Sequence, residues 1–340
     1  MATRLPETDA VLLGVGLVGT ILGRELTRAG LKVIGLERGE PRFTVPDFQG
    51  PQMHDELRYA IRHALMQNVA KETLTFRNNT SQTALPIRRL ASFLPGSGLG
   101  GAAVHWNGQT YRFQDTDFRM RSRTIERYGS AFLAPELTVQ DWGVTAADME
   151  PYYDRFEYLL GVSGKAGNLK GQKIPGGNPF EDPRSRDYPT PPQKEPYGSA
   201  MFRKAAAGLG YHPYPQPSSN LSQPYTNPEG MQLSTCMFCG YCERFGCEHY
   251  AKSSPQTVLL PVLLKDPNFT LKTNTQVLRI NLDSTKKRAT GVTYVDASGR
   301  EFEQPAKLVI VGTFALNNVR MLLLSGIGTP YDPQTGKGTV

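Results

Sequence analysis

The sequence is poor in cysteine and has no long apolar run, and each scarcity excludes something. Its 340 residues contain four cysteines, all between positions 236 and 247. A disulfide-stapled fold spreads its cysteines along the chain to close loops, so this clustering points to a local metal or redox site. No stretch approaches the roughly 18 consecutive apolar residues that a membrane-spanning helix needs, which predicts a soluble chain. The segment Met1 to Asp9 is short and polar and runs straight into a strand, so no secretory signal is expected. Export would then need a partner that carries one. The net charge is +7, yet its Lys and Arg residues are scattered and form no basic stripe interleaved with aromatics, so no nucleic-acid partner is expected. The composition, 39% hydrophobic and 20% charged, is that of a globular protein, and the length suggests two lobes.

Periodicity places parallel-type strands at both ends of the chain. Asp9 to Leu13 is a short apolar run suited to a strand buried on both faces. Leu17 to Ala29 has helical spacing with Gly30 as its stop, and Lys32 to Glu37 is a second strand, which together make a βαβ opening. Asp47 to Asn79 is polar and reads as a helical excursion. Gly161 to Pro228 is rich in Pro, Gly, Ser and Asn and reads as a long loop or irregular lobe. Thr270 to Leu282, Gly291 to Asp296 and Lys307 to Gly312 read as strands, with a turn at Ala297-Ser-Gly-Arg300 and a helix over Ala315 to Leu324. The expected fold is α/β: a discontinuous Rossmann-type domain with an inserted, incomplete substrate-side domain. Its expected parts are 1–110 and 256–340 for the dinucleotide domain, 111–235 for the insert, and 236–255 for the cysteine segment.

Gly14-Val-Gly16-Leu-Val-Gly19 follows a strand and opens a helix, the context in which this pattern cradles a pyrophosphate. Gly14 permits the tight turn, Gly16 lets the backbone approach the phosphates, and Gly19 lets helix and strand pack closely. The helix N-terminus adds free N–H groups and a positive dipole end. Glu37 ends the second strand at the right distance to accept from a ribose hydroxyl. A structural βα turn is the bland alternative, and the loop alone does not separate FAD from NAD.

A second glycine-rich segment runs Gly96-Ser-Gly98-Leu-Gly100-Gly101-Ala-Ala-Val-His105-Trp106-Asn107-Gly108. So many glycines let a backbone lie flat against a planar ligand. This segment, the first glycine loop, Asp141-Trp142…Glu150-Pro-Tyr-Tyr153 and Leu322-Leu-Leu-Ser-Gly-Ile-Gly328 together resemble the glucose–methanol–choline (GMC) oxidoreductase family. The resemblance implies that the first loop holds the ADP half of FAD and that Gly100 and Gly101 lie along the isoalloxazine. It implies that His105 stands where some members tether the flavin covalently, that Trp106 follows as in pyranose-oxidising members, and that Asn107 and Gly108 lie near the reactive edge. It also implies that the backbone at Gln276 and Val277 holds the adenine.

Cys236-Met-Phe-Cys239-Gly-Tyr-Cys242-Glu-Arg-Phe-Gly-Cys247 has spacing close to that of a ferredoxin run. An iron–sulfur cluster, a structural zinc, and disulfides or free thiols are all readings of this pattern. Within the family, such a segment resembles the membrane-associated bacterial dehydrogenases for gluconate, fructose and glucose. That subgroup implies a three-iron cluster relaying electrons from FAD to a cytochrome c subunit. It further implies a small subunit, a periplasmic location, and membrane attachment through partners. The implied activity is oxidation of a sugar, aldonate or polyol hydroxyl by hydride transfer to FAD. An oxygen-using oxidase and a non-catalytic FAD-binding fragment are the alternatives. The family places its catalytic base, a His with a second His or Asn, beyond the Gly326-Ile-Gly328 segment near which this chain stops, so no base is assigned. His54, His63, His212 and His249 match no catalytic position. The chain alone is expected to be inactive or poorly folded.

Overall fold

The computed structural model describes residues 2–49, 65–69, 73–77, 81–88, 95–134, 137, 139–332, 335 and 337–340. The strands of its main sheet are β1 (Thr3–Arg4), β2 (Thr8–Leu13), β3 (Val33–Leu36), β4 (Phe269–Lys272), β5 (Gln276–Leu282), β6 (Ala289–Val295) and β7 (Glu301–Val311). The helices of two turns or more are α1 (Leu17–Arg28), α2 (Met120–Tyr128), α3 (Ala146–Leu160), α4 (Tyr197–Gly208) and α5 (Ala315–Leu324). The chain divides into two units: Met1–Asn107 with Tyr241–Glu248 and Ser254–Val340, and Gly108–Gly240 with His249–Ser253. The division at 107/108 falls three residues before the expected 110/111, and the cysteine segment is shared between the units.

The first unit is built on a sheet of order β4–β3–β2–β7–β6–β5, with β1 also paired to β7. The ladders from β4 to β7 are parallel, and those joining β7, β6 and β5 are antiparallel. Strand β7 serves both halves. Glu301 to Pro305 pair with β6, whereas Ala306 to Val311 pair with β2. The ladder changes partner at Pro305, which has no N–H to give to a continuing one. The expected strand over Lys307 to Gly312 is thus the second half of a longer element.

Ala10, Val11, Leu12 and Leu13 of β2 are all buried, as a central parallel strand requires. Their side chains alternate: Ala10 and Leu12 join a core with Val15, Val33, Leu260 and Leu263, while Val11 and Leu13 join one with Ile280, Tyr294 and Met321. Helix α1 lies on the first of these faces, with Gly19, Thr20, Gly23 and Thr27 buried, and it ends at Gly30 with φ +81°.

The segment read as one strand over Thr270 to Leu282 is two. Asn274 takes the left-handed conformation (φ +52°), and its N–H donates to the carbonyl of Gly39 at 2.9 Å. Asn tolerates that conformation better than most residues. The turn sends β4 to pair with β3 and β5 to the opposite edge of the sheet. The expected excursion over Asp47 to Asn79 lies largely outside the described residues.

The second unit has little sheet and a polar interior. Helix α3 starts from a capping box in which Thr145 and Asp148 satisfy each other's backbone N–H groups. Glu157 on α3 is held bidentately by Arg112, with both contacts 2.7 Å, and also by Arg184. Arg184 bonds Glu181 at 3.0 Å and lies over the Tyr188 ring at 3.7 Å. Burial works against the charge on Arg112, and its pairing with Glu157 and Glu150 more than reverses that, raising the guanidinium above its ordinary value. The stretch read as an irregular lobe contains α4, an alanine-rich helix in which Ala206 alone is buried. With so little of α4 buried, its apolar residues mark no buried face for periodicity to detect.

Candidate functional site

The C-terminal ends of β2, β3 and β7 meet at one edge of the first unit, where parallel α/β sheets place their ligands. A cleft of about 280 Å³ opens there. That volume is close to the lower end of small-molecule sites, roughly 300–1,000 Å³. Its lining includes Gly14 and Gly16, Glu37 and Arg38, Gly96 and Gly98, Gly101 to Ala103, Thr275 to Val277, and residues 312–314, 317, 320 and 321.

Two glycines of the first loop are required by the protein's own packing. A Cβ on Gly19 would lie 2.1 Å from the carbonyl oxygen of Gly14, and one on Gly14 (φ +86°) would lie 2.7 Å from that of Gly312. Gly16 differs: a Cβ there would find its nearest neighbour, the Gly100 carbonyl oxygen, at an ordinary 3.7 Å. Nothing in the fold demands glycine at 16, so the demand falls on what approaches it from the cleft. Gly16 also caps α1 without a side-chain cap, and no acid occupies the first turn. Those features suit an anion at the helix N-terminus.

The two glycine segments are joined. Gly100 N–H donates to the Val15 carbonyl at 2.9 Å, and Gly16 and Gly100 form a parallel bridge. Behind them the buried Gln256 donates to the carbonyls of Leu99 (2.8 Å) and Arg42 (3.1 Å). Glu37 is nearly enclosed. Its carboxylate accepts from Val15 N–H at 3.0 Å and Gly39 N–H at 2.9 Å, fixing the loop to the end of β3. Burial pushes the Glu37 carboxyl above its ordinary value, and the two N–H bonds oppose that shift.

Of the residues singled out from sequence, Gly14, Gly16, Glu37, Gly101 and Val277 line this cleft. Gly19 supports it from beneath, and Gly100 lies between it and Gln256. His105 belongs to the first unit and is 2% exposed; its carbonyl accepts from Arg244 N–H at 2.6 Å. Its preceding turn, Gly101 to Ala103, faces the cleft, while His105 is outside the lining. Trp106 and Asn107 are half-buried in the first unit, and Gly108 opens the second unit, where a Cβ would meet Asn220 at 2.8 Å. Sequence reasoning missed Arg38, Thr313, Asn317 and Arg320. The signal available was Gly312 at the end of a parallel strand, because that end must reach the same edge as Gly14.

None of the four cysteines is in a disulfide. Cys236 and Cys239 belong to the second unit, with Phe238 N–H donating to the Cys236 sulfur at 3.5 Å, and Cys242 and Cys247 belong to the first. Among the described residues no group of three or more His, Cys, Asp or Glu side chains is arranged to hold a metal ion. His212 and His249 are described in the second unit; His54 and His63 lie outside the described residues. Among the described residues no helix is long and apolar enough to cross a membrane.

The sequence profile described as "GMC oxidoreductase" matches residues 189–340. The chain is 48% identical, over its whole length and 56% of the relative's, to the gluconate 2-dehydrogenase flavoprotein of Pantoea cypripedii. It is 23% identical to the fructose dehydrogenase large subunit of Gluconobacter japonicus, over 96% of this chain and 55% of that one. It therefore spans about half the length of these relatives. In fold it is similar to an FAD-dependent oxidoreductase from Chaetomium thermophilum (TM-score 0.53, 16% identity, 95% of this chain and 48% of that one). Glycine loops, cleft and sequence relationship agree, and the chain carries a GMC oxidoreductase domain, matched over residues 189–340.

Proposed function

We propose that this chain is the FAD-binding portion of a dehydrogenase that oxidises a hydroxyl of a sugar, an aldonate such as gluconate, or a polyol. The observation that carries the reading is the glycine-lined cleft at the N-terminus of α1, with Glu37 at the end of the neighbouring strand. The 48% identity to a gluconate 2-dehydrogenase flavoprotein supports the substrate class. FAD held there would accept a hydride from the carbon that bears the hydroxyl. The residues of this chain would bind and orient it: the N-terminus of α1 would hold the pyrophosphate, Glu37 the ribose, and Gly101 to Ala103 the flavin.

The reading extends to electron exit. The cysteine spacing supports a three-iron cluster on Cys236, Cys239, Cys242 and Cys247, three of which would serve as ligands. Among the described residues the thiols as they stand form no such ligand set. Similarity to a protein named as a large subunit supports partner subunits, with a small subunit and a cytochrome c as the companions proposed. Attachment to the periplasmic face of a membrane through those partners belongs to the same proposal, as does a covalent tether through His105.

Purified protein reconstituted with FAD provides the test. Flavin absorption retained through gel filtration, and gluconate-dependent dye reduction without peroxide once any missing companion polypeptide is supplied, are the expected results. Failure to retain flavin would sink the reading. Peroxide formation would favour an oxidase, and retained flavin without turnover would favour a non-catalytic FAD-binding fragment. Flavin freed by acid precipitation removes the His105 tether, and absence of iron removes the cluster.

A further inference from the structure

We propose that Asn317 and Arg320 form a second polar wall of the cleft that recognises the adenosine end of the cofactor. The inference rests on the FAD reading above. Both residues line the cleft, and their spacing of three puts them on one face of α5. That helix is fixed along β5. Met321 shares a core with Ile280 and Val277, and Ile280 N–H donates to the Ser325 hydroxyl at 2.8 Å. The row carrying Asn317 and Arg320 therefore faces the same cleft as Gln276 and Val277, the pair that the family resemblance assigns to adenine.

Gln276 on the facing strand aside, several other polar groups of the cleft are engaged by the protein. The Glu37 carboxylate holds Val15 and Gly39, the Thr313 hydroxyl donates to Asn318 at 2.9 Å, and the Thr275 hydroxyl donates to the Thr273 carbonyl at 3.0 Å. Asn317 and Arg320 differ. Among the described residues neither side chain has a hydrogen-bond or ion-pair partner. No acid in the first turn of α5 calls for a cation beside it. A carboxamide and a guanidinium left unspent on a cleft wall suit a purine. The carboxamide matches the donor–acceptor edge of adenine, and the planar guanidinium stacks on its π face. Neither interaction involves the flavin ring.

Calorimetric titration of the flavin-free chain with ADP, FMN and FAD tests this for the wild type, Asn317→Ala, Arg320→Ala and Arg320→Lys. Each alanine substitution is expected to raise the dissociation constants of ADP and FAD about tenfold, as loss of one net hydrogen bond or stacking contact implies, and to leave FMN affinity unchanged. Arg320→Lys keeps the charge but not the plane, so it should recover only part of the loss. Thermal unfolding of the flavin-free variants should match the wild type, because among the described residues neither side chain has a hydrogen-bond or ion-pair partner to lose. ADP binding at wild-type affinity in both alanine variants overturns the inference and leaves the FAD reading standing. A wild-type chain that binds neither FAD nor ADP overturns the FAD reading and this inference with it.

Discussion

The two units of the molecule solve the same problem with different chemistry. In the first, β2 buries Ala10, Val11, Leu12 and Leu13 between two apolar faces, and the glycine loops ride on the sheet's edge. In the second, the buried set includes Arg184, Glu157, Glu181, Ser163, Thr190 and Asn168, and strands are only two residues long. Apolar burial is non-directional and depends on area, so it repeats with the period of the element that carries it. Paired charges are directional and must find a particular partner, which can lie anywhere in the sequence. Arg112 and Glu157 are 45 residues apart, and no spacing rule connects them.

That contrast can be broken by substitution. Arg184→Ala should have the largest effect, because it leaves Glu157 and Glu181 buried without one of their cations. The expected loss is about 3–5 kcal/mol, read from denaturant unfolding followed by Trp142, which lies in the second unit. A loss below about 1 kcal/mol would mean that the charge network does not hold this unit. In the first unit, Leu12→Ala should cost about 2–5 kcal/mol, because the close-packed sheet cannot collapse around the cavity. Hydrogen exchange should place that loss in β2, β3 and β7; an even spread over both units would erase the distinction.

A smaller effect concerns pH. Burial raises the Glu37 carboxyl in the folded state. The folded chain therefore takes up this proton at a higher pH than the unfolded chain, and the group's contribution to stability is present at low pH and lost as pH rises through the raised value. Protonation also removes an acceptor for the ribose. Acidification should thus weaken FAD binding by a few-fold at most, without destabilising the flavin-free protein through this group. Glu37→Gln should flatten that dependence, and an unchanged pH slope in the variant would place the titrating group elsewhere.

Legibility followed the same division. The βαβ opening was readable because Leu17, Ile21, Leu22 and Leu26 keep helical spacing and Gly14, Gly16 and Gly19 fall between strand and helix. The split of β4 from β5 was not, because Asn274 breaks a continuous β-prone run by its backbone conformation alone. Helix α4 was missed because only Ala206 is buried, so its sequence shows no buried stripe. In the site, the glycines and Glu37 carry a motif with fixed spacing. Asn317 and Arg320 carry none, and they reach the cleft only because α5 packs along β5.

Read alone, the sequence marks a glycine loop between the first long strand and its helix, a second glycine segment, and four grouped cysteines. Each is local, set by neighbours a few residues apart. Tertiary structure decided which strand ends share an edge, that Glu37 also holds Val15 and Gly39, and that the division into units runs through the cysteine segment. Those outcomes depend on contacts between residues far apart in the chain, such as the approach of Gly14 to Gly312, and no local spacing encodes them.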